Sequence, residues 1–214
     1  WHSYPSVFAM GHRYLKDLLT GPVLVEEKID GSQFSFGKFD DVLKCRSKGV
    51  QLNVDAPDSM FKLAVETAKE LFPLLTDGHT YRAEYLTKPK HNTLTYARVP
   101  KKNLILFDIN PSEEHYFTYE DKKIEAERLG LEIVPFFYYG VVDSLEKFKE
   151  LLNQESCLGG TKIEGVVVKN YELFGQDKKV LMGKYVSEAF KEVHETDWKE
   201  LVFFTFTHGL SKHF

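Results

Sequence analysis

No stretch of the 214 residues approaches the roughly 20 consecutive apolar residues that a membrane-spanning helix needs. The longest apolar candidates, such as Val166-Val167-Val168, are strand-sized. Cysteine is scarce as well. Cys45 and Cys157 have neither the spacing of a metal site nor the density of a disulfide-stapled scaffold, so a reducing cytoplasm is the expected compartment, with one disulfide left open. Positive charge is not in excess, because 28 Lys and Arg face 32 Asp and Glu for a net charge of −4. That balance excludes a global positive field, and any nucleic-acid contact must come from a local patch. Both glycine-rich phosphate loops are missing: Gly159-Gly160-Thr161-Lys162 lacks the earlier glycine of G-x-x-x-x-G-K-[ST], and no G-x-G-x-x-G occurs. A nucleotide, if bound, is therefore held by side chains. The eight histidines are dispersed without H-x-x-x-H or H-x-E spacing, which argues against a zinc site. The leading Trp1-His2-Ser3-Tyr4-Pro5 has neither a basic nor an apolar targeting region, so no targeting signal is expected.

What is present is an ordinary globular composition, with 43% hydrophobic and 14% aromatic residues, enough to bury a sizeable core. No repeat or linker divides the chain, and strand-like and helical segments interleave, so an α+β domain is expected over residues 1–198 with a tail of unknown role at 199–214. Val23-Leu24-Val25, Phe34-Ser35-Phe36 and Val42 to Arg46 read as an antiparallel meander around Asp30-Gly31-Ser32. Further strands are expected at Thr80 to Leu86, Leu104 to Ile109, Glu132 to Phe137, Ile163 to Lys169 and Lys179 to Tyr185. Helices are expected at about 58–72 behind Asp58, from Thr118 to Gly130, from Leu145 to Leu152 behind Ser144, and from Ser187 through Trp198.

The basic residues are dominated by lysine, 23 against 5 Arg, and lysine is the cation whose pKa can be shifted far enough to make it a nucleophile. Lys28-Ile29-Asp30-Gly31 stands where a buried strand meets a turn. Alone it is ordinary turn chemistry. It is followed in order by Arg46-Ser47-Lys48-Gly49, Tyr81-Arg82-Ala83-Glu84-Tyr85, Leu106-Phe107-Asp108-Ile109, Ile163-Glu164-Gly165-Val166-Val167-Val168-Lys169 and Met182-Gly183-Lys184-Tyr185. The series resembles the K-x-D-G nucleophile and the later motifs of the covalent nucleotidyltransferases, the superfamily of ATP-dependent ligases and mRNA capping enzymes. Gln33, five residues beyond Lys28, and the spacing Lys184, Phe190, Glu192 are similar to the RNA ligase 2-like group. Two features depart from that group: Val186 stands where a second lysine is usual, and the customary downstream domain is expected to be missing or unrecognisably short.

The resemblance implies a ligase adenylation domain of antiparallel sheets flanked by helices, using ATP and Mg²⁺ or Mn²⁺. Lys28 would form lysyl-AMP, pass AMP to an RNA 5′-phosphate, and a 3′-hydroxyl would then seal the strand. The implied catalytic residues are Lys28, Asp30, Glu84, Glu164, Lys169 and Lys184, with Lys169 replacing the cation absent at Val186. Glu27, Gly31, Ser32, Gln33, Arg46 and Phe107 join Lys28, Glu84, Lys169 and Lys184 in nucleotide binding, and Glu84, Glu164 and Asp108 are the implied metal ligands. Phe107 serves equally as core among Leu104, Ile105, Leu106 and Ile109, and Asp108 equally as a strand-end cap. Lys88, Lys90, Lys101 and Lys102, interleaved with His91, Tyr96 and Arg98, read either as an RNA-binding patch or as a solvated loop. The protein is expected to act as a monomer without a membrane. The other readings are a DNA ligase, a GTP-using capping enzyme, or an end-binding module whose catalysis has decayed.

Overall fold

Alternation of apolar and polar residues builds two sheets in the structure, a computed structural model that describes residues 1–188 and Lys191. Phe8–Ala9 (β1), Val23–Lys28 (β2), Phe136–Gly140 (β9), Gly165–Phe174 (β10) and Val180–Val186 (β11) form one sheet in the order β1-β11-β10-β2-β9. Ser32–Phe39 (β3), Val42–Ser47 (β4), Gln51–Leu52 (β5), Thr80–Tyr85 (β6), Leu104–Asn110 (β7) and Glu132–Ile133 (β8) form the other, in the order β5-β4-β3-β6-β7-β8. All neighbours are antiparallel except the short pairs β1 with β11 and β7 with β8. This bears out the α+β expectation.

Each sheet has one apolar face and one polar face, because paired residues of a ladder point the same way and successive residues alternate. In the first sheet Val23, Val25, Val166, Val168 and Leu181 pack with Leu15, Leu18 and Phe148. In the second, Phe34, Phe36, Tyr81, Ala83 and Tyr85 pack against Ala64, Val65, Ala68 and Leu71 of Lys62–Leu71 (α1) and Ala126 and Leu129 of Tyr119–Leu129 (α2). The polar faces border a common cleft.

Several boundaries differ from the sequence expectation, each for a local reason. The meander does not form: β3 and β4 are a hairpin, but β2 pairs with β9 and β10, so Ile29-Asp30-Gly31 crosses between sheets instead of turning within one. The strand expected over Glu132 to Phe137 is split around Val134-Pro135, since proline has no N–H for a ladder, and its halves join different sheets. Asp58 accepts a hydrogen bond from Met60 N and caps a single 3-10 turn, Ser59–Phe61, ahead of α1. Thr118 does cap α2, accepting from Asp121 N, and Gly130 ends it in a left-handed conformation at φ 68°. Glu146–Leu151 (α3) has no side-chain cap, so Ser144 does not play that part. Strand β10 begins at Gly165, leaving Glu164 just outside it, and runs on to Phe174. Of the helix expected from Ser187 onward only Ser187, Glu188 and Lys191 are described, with Lys191 N donating to the Ser187 carbonyl at 3.1 Å; Phe190, Glu192 and the 199–214 tail lie outside the described residues. Cys45 is buried, Cys157 is exposed, and both are free thiols. Among the described residues no helix is long and apolar enough to cross a membrane.

Candidate active site

Register on the first sheet brings three lysines to the cleft. Lys28, Gly165 and Val186 stand side by side across β2, β10 and β11, as do Glu26, Val167 and Lys184, while Lys169 pairs with Leu24. On the second sheet Gln33 faces Glu84 across β3 and β6, and Ser35 lies between Arg46 and Arg82. Lys28, Lys169 and Lys184 from one sheet and Gln33, Glu84 and Phe107 from the other line a cleft of about 280 Å³. Gly31 lines it too, at the crossover. A Cβ there would lie 2.7 Å from the Tyr85 carbonyl oxygen and 2.9 Å from Glu84 Cγ, so only glycine allows this approach. In the approach it does allow, Gly31 N donates to Glu84 Oε1 at 3.1 Å.

Lys28 Nζ donates to Glu164 Oε1 at 2.7 Å. Burial works to lower the lysine's pKa, but the carboxylates of Glu164, Glu84 and Asp30 together outweigh it and the net shift is upward. The resting group is an ammonium. Burial raises Glu164 against the opposing pull of Lys28. Burial also pushes Glu84 up to about 8, with Lys28 opposing and the Glu164 charge assisting. Lys184 is held below the ordinary lysine value by burial and then by the positive charges of Lys28 and Lys48. Lys48, from the exposed tip beyond β4, lines the same cleft.

The remaining expected site residues are placed differently. Asp30 is buried and works as a loop anchor, its Oδ2 accepting from Thr93 N at 2.8 Å and Leu94 N at 2.7 Å. Ser32 Oγ bonds His91 Nε2 at 2.9 Å, and half-buried Arg46 stays beside Ser35 on β4, neither lining the cleft. Glu27 lines it but turns Oε2 to Cys157 N at 3.0 Å. Lys169 borders the cleft with its ammonium fully spoken for: Glu26 Oε2 at 2.5 Å, the Phe107 carbonyl at 2.8 Å and Asp108 Oδ2 at 3.1 Å take its three donors. Asp108 is equally committed, accepting also from the Tyr4 hydroxyl and, at 2.5 Å, from the Tyr171 hydroxyl.

Glu84, Glu164 and Asp108 therefore do not make one chelating set, and among the described residues no group of three or more His, Cys, Asp or Glu is placed to hold a metal ion. Glu164 Oε2 is nevertheless buried with no hydrogen-bond partner. An orphaned oxygen on the carboxylate that holds Lys28 fits one contact to a cation that arrives on nucleotide phosphates and keeps most of its waters, the habit of Mg²⁺.

Sequence reasoning passed over Glu26 and Lys122. Lys122 Nζ, fully buried on α2, donates to Glu26 Oε1 at 2.5 Å and to the Phe107 carbonyl at 2.8 Å. The signals were present. Glu26 is two residues from Lys28 on one strand face, and Lys122 is spaced four and seven residues from the buried Ala126 and Leu129.

A family model of RNA ligases matches residues 21–186, which include every residue of the cleft except the N-terminal Tyr4, Pro5 and Val7. The chain belongs to the RNA ligase family. Its fold is similar to that of Naegleria gruberi RNA ligase with PPi, with a TM-score of 0.71 at 18% identity over 91% of this chain and 58% of that one. Variants of that ligase with ATP and Mn and with AMP and Mn give TM-scores of 0.69 at 17% and 18% identity, again over 91% and 58%. At these identities the likeness shows the fold, and the chain spans 58% of the length of the ligase it matches. No curated protein sequence matches it closely.

The raised Glu84 makes a stability prediction for this ligase-family domain. A carboxyl whose folded value of about 8 exceeds its ordinary value of 4.5 binds more protons folded than unfolded, so its contribution is present at acid pH and is lost as pH climbs from about 5 through 8. Glu84→Gln removes that loss. Its denaturation free energy should match wild type near pH 5 and exceed it by about 1–3 kcal/mol at pH 9. An equal gain at both pH values in urea titrations would show that Glu84 is not held protonated.

Proposed function

We propose that this chain is the catalytic domain of an ATP-dependent RNA ligase in which Lys28 carries AMP. The observation that supports it most strongly is the 2.7 Å pairing of Lys28 with Glu164 in a cleft bordered by Lys184 and Phe107, within the family-matched region. In the resting protein Glu164 holds the Lys28 ammonium in place, and the group becomes a nucleophile when a proton leaves it. The amine nitrogen then bonds to the α-phosphorus of ATP as the bond to pyrophosphate breaks, and its surplus protons pass to solvent. The AMP moves next to an RNA 5′-phosphate, freeing Lys28, and a 3′-hydroxyl attacks that activated end and releases AMP.

Lys184 of β11 and Lys48 from beyond β4 both line the cleft and neutralise the phosphates, with Lys48 filling the charge that Val186 lacks; Lys169 lines it too but is bound to the Phe107 carbonyl. A divalent cation bound by Glu164 and the phosphates would supply charge neutralisation at the leaving pyrophosphate and an electrostatic pull on the amine's pKa. The Phe107 ring offers its face to adenine. RNA ends would be met by exposed Lys88 and Lys90, whereas Arg98 is committed to Glu132 at 2.7 and 2.9 Å. The two free cysteines support action in a reducing cytoplasm, and we read the domain as a monomer.

The test combines labelled nucleotide with paired strands. ATP with Mg²⁺ or Mn²⁺ should leave labelled AMP on the denatured protein and join a 5′-phosphate RNA end to a 3′-hydroxyl one. Labelling by GTP in preference would move the protein to the capping chemistry, and binding of ends without any covalent label would make it a non-catalytic end-binding module.

A further inference from the structure

Phe107 owes its place to an irregularity. The pairing of β6 with β7 runs Arg82 to Asp108 and then Ala83 to Leu106, so Phe107 is skipped and bulges from the ladder. A bulge re-aims a side chain, and here it sends the ring into the cleft while turning the carbonyl away from β6. That carbonyl is taken by two ammoniums from elsewhere in the fold, Lys122 Nζ of α2 and Lys169 Nζ of β10, each at 2.8 Å. Glu26 of β2 closes the arrangement, giving one carboxylate oxygen to each lysine at 2.5 Å. With Asp108 the four charges sum to zero, and all four side chains are essentially without exposure.

We infer that Lys122 is a positioning residue for the nucleotide base, acting through the Phe107 carbonyl to hold the bulge that presents the ring. The inference rests on the ATP reading above. Lys122 does not line the cleft and touches no group that reacts. A fully buried lysine on a helix is costly unless it does something an apolar side chain of the same volume would not. What this one does is fix the carbonyl of the one β7 residue that pairing leaves unfixed. Lys169 adds its charge 5.7 Å from the Phe107 ring centroid, and the Tyr4 ring packs on it in a T-shaped pair with centroids 5.1 Å apart, so the ring is held between two neighbours that also line the cleft. Burial lowers the Lys122 pKa, Glu26 opposes that shift and Lys169 adds to it, as its place in the network requires.

The test is a double-mutant cycle on lysine adenylylation, reading KM for ATP and the saturated rate separately. Stacking on an aromatic is worth about 1–3 kcal/mol per base, so Lys122→Met should raise KM about tenfold, with a much smaller change in the saturated rate. Phe107→Ala should raise KM at least as much, and Lys122→Met added to Phe107→Ala should raise it little further, because the group it positions is gone. Additive effects, or a loss confined to the saturated rate, would overturn the inference. If Lys122→Met does not fold, Lys122→Arg takes its place: retained charge should keep KM within about threefold, and a loss as large as that of Phe107→Ala would contradict positioning through charge. Failure of the wild-type protein to label with ATP would remove the ATP reading and the inference with it. A labelling wild type with additive variants would remove the inference alone.

Discussion

Lys28→Ala is expected to take up no AMP from ATP, a loss of at least several thousandfold, and yet to join an RNA whose 5′-end already carries AMP. The two halves of that result come from one geometry. Among the described residues Lys28 is the lysine whose nitrogen is bonded to Glu164, beside Glu84 and the crossover at Gly31, so its removal takes away the group placed to form the bond to phosphorus. Lys184 and Lys48, which line the cleft, remain to stabilise charge at the sealing step, where no lysine nucleophile is needed. Covalent labelling of Lys28→Ala at the wild-type rate would remove the nucleophile from this account. Loss of sealing as completely as of labelling would show that Lys28 also has a part in the final step.

The second large effect concerns stability. Glu26→Ala should destabilise the domain by about 3–5 kcal/mol, because it leaves the buried Lys122 and Lys169 ammoniums without their shared partner and next to one another. Against a typical total of about 5–15 kcal/mol that is enough to populate the unfolded chain. The deficit carries a pH signature. Lys122 is held below its ordinary value in the folded protein, and with Glu26 gone the depression deepens, so the unfolded state binds more protons over the window between the folded and unfolded lysine values. Stability of Glu26→Ala should therefore recover as pH rises from 7 toward 10. Urea titrations at both pH values measure it, and a deficit below 1 kcal/mol at pH 7 would mean that the network carries no net charge burden.

The sequence exposed the site more fully than the architecture. Lys28, Glu84 and Lys184 fall where strand periodicity aims them at one cleft, and a period of two makes that direction readable without knowing which sheet a strand joins, whereas Glu164 precedes β10 and reaches Lys28 from outside the strand. Partnership was not readable in that way. The segment from Val23 to Phe36 looks like a hairpin locally, and only the pairing of β2 with β10, more than a hundred residues later, shows that the chain changes sheets at Ile29-Asp30-Gly31. Pro135 marked a break within the expected strand at Glu132 to Phe137, and the proline rule was available to find it. Asp108 and Lys169 were recognisable as chemistry-bearing residues, but their use depends on Tyr4, Glu26, Lys122 and Tyr171, which tertiary structure alone gathers around them. The bulge at Phe107 has no sequence signal at all, since it is a mismatch of register between two strands that each read as regular.

The central claim is that Lys28 carries the nucleotide, and peptide mapping of the wild-type protein after incubation with ATP and Mg²⁺ tests it most directly. The account predicts one AMP per chain, joined through an acid-labile, alkali-stable nitrogen–phosphorus bond on the peptide containing Lys28-Ile29-Asp30-Gly31. AMP on a peptide containing Lys48, Lys169 or Lys184 instead, or no covalent AMP at any divalent cation concentration, would contradict it.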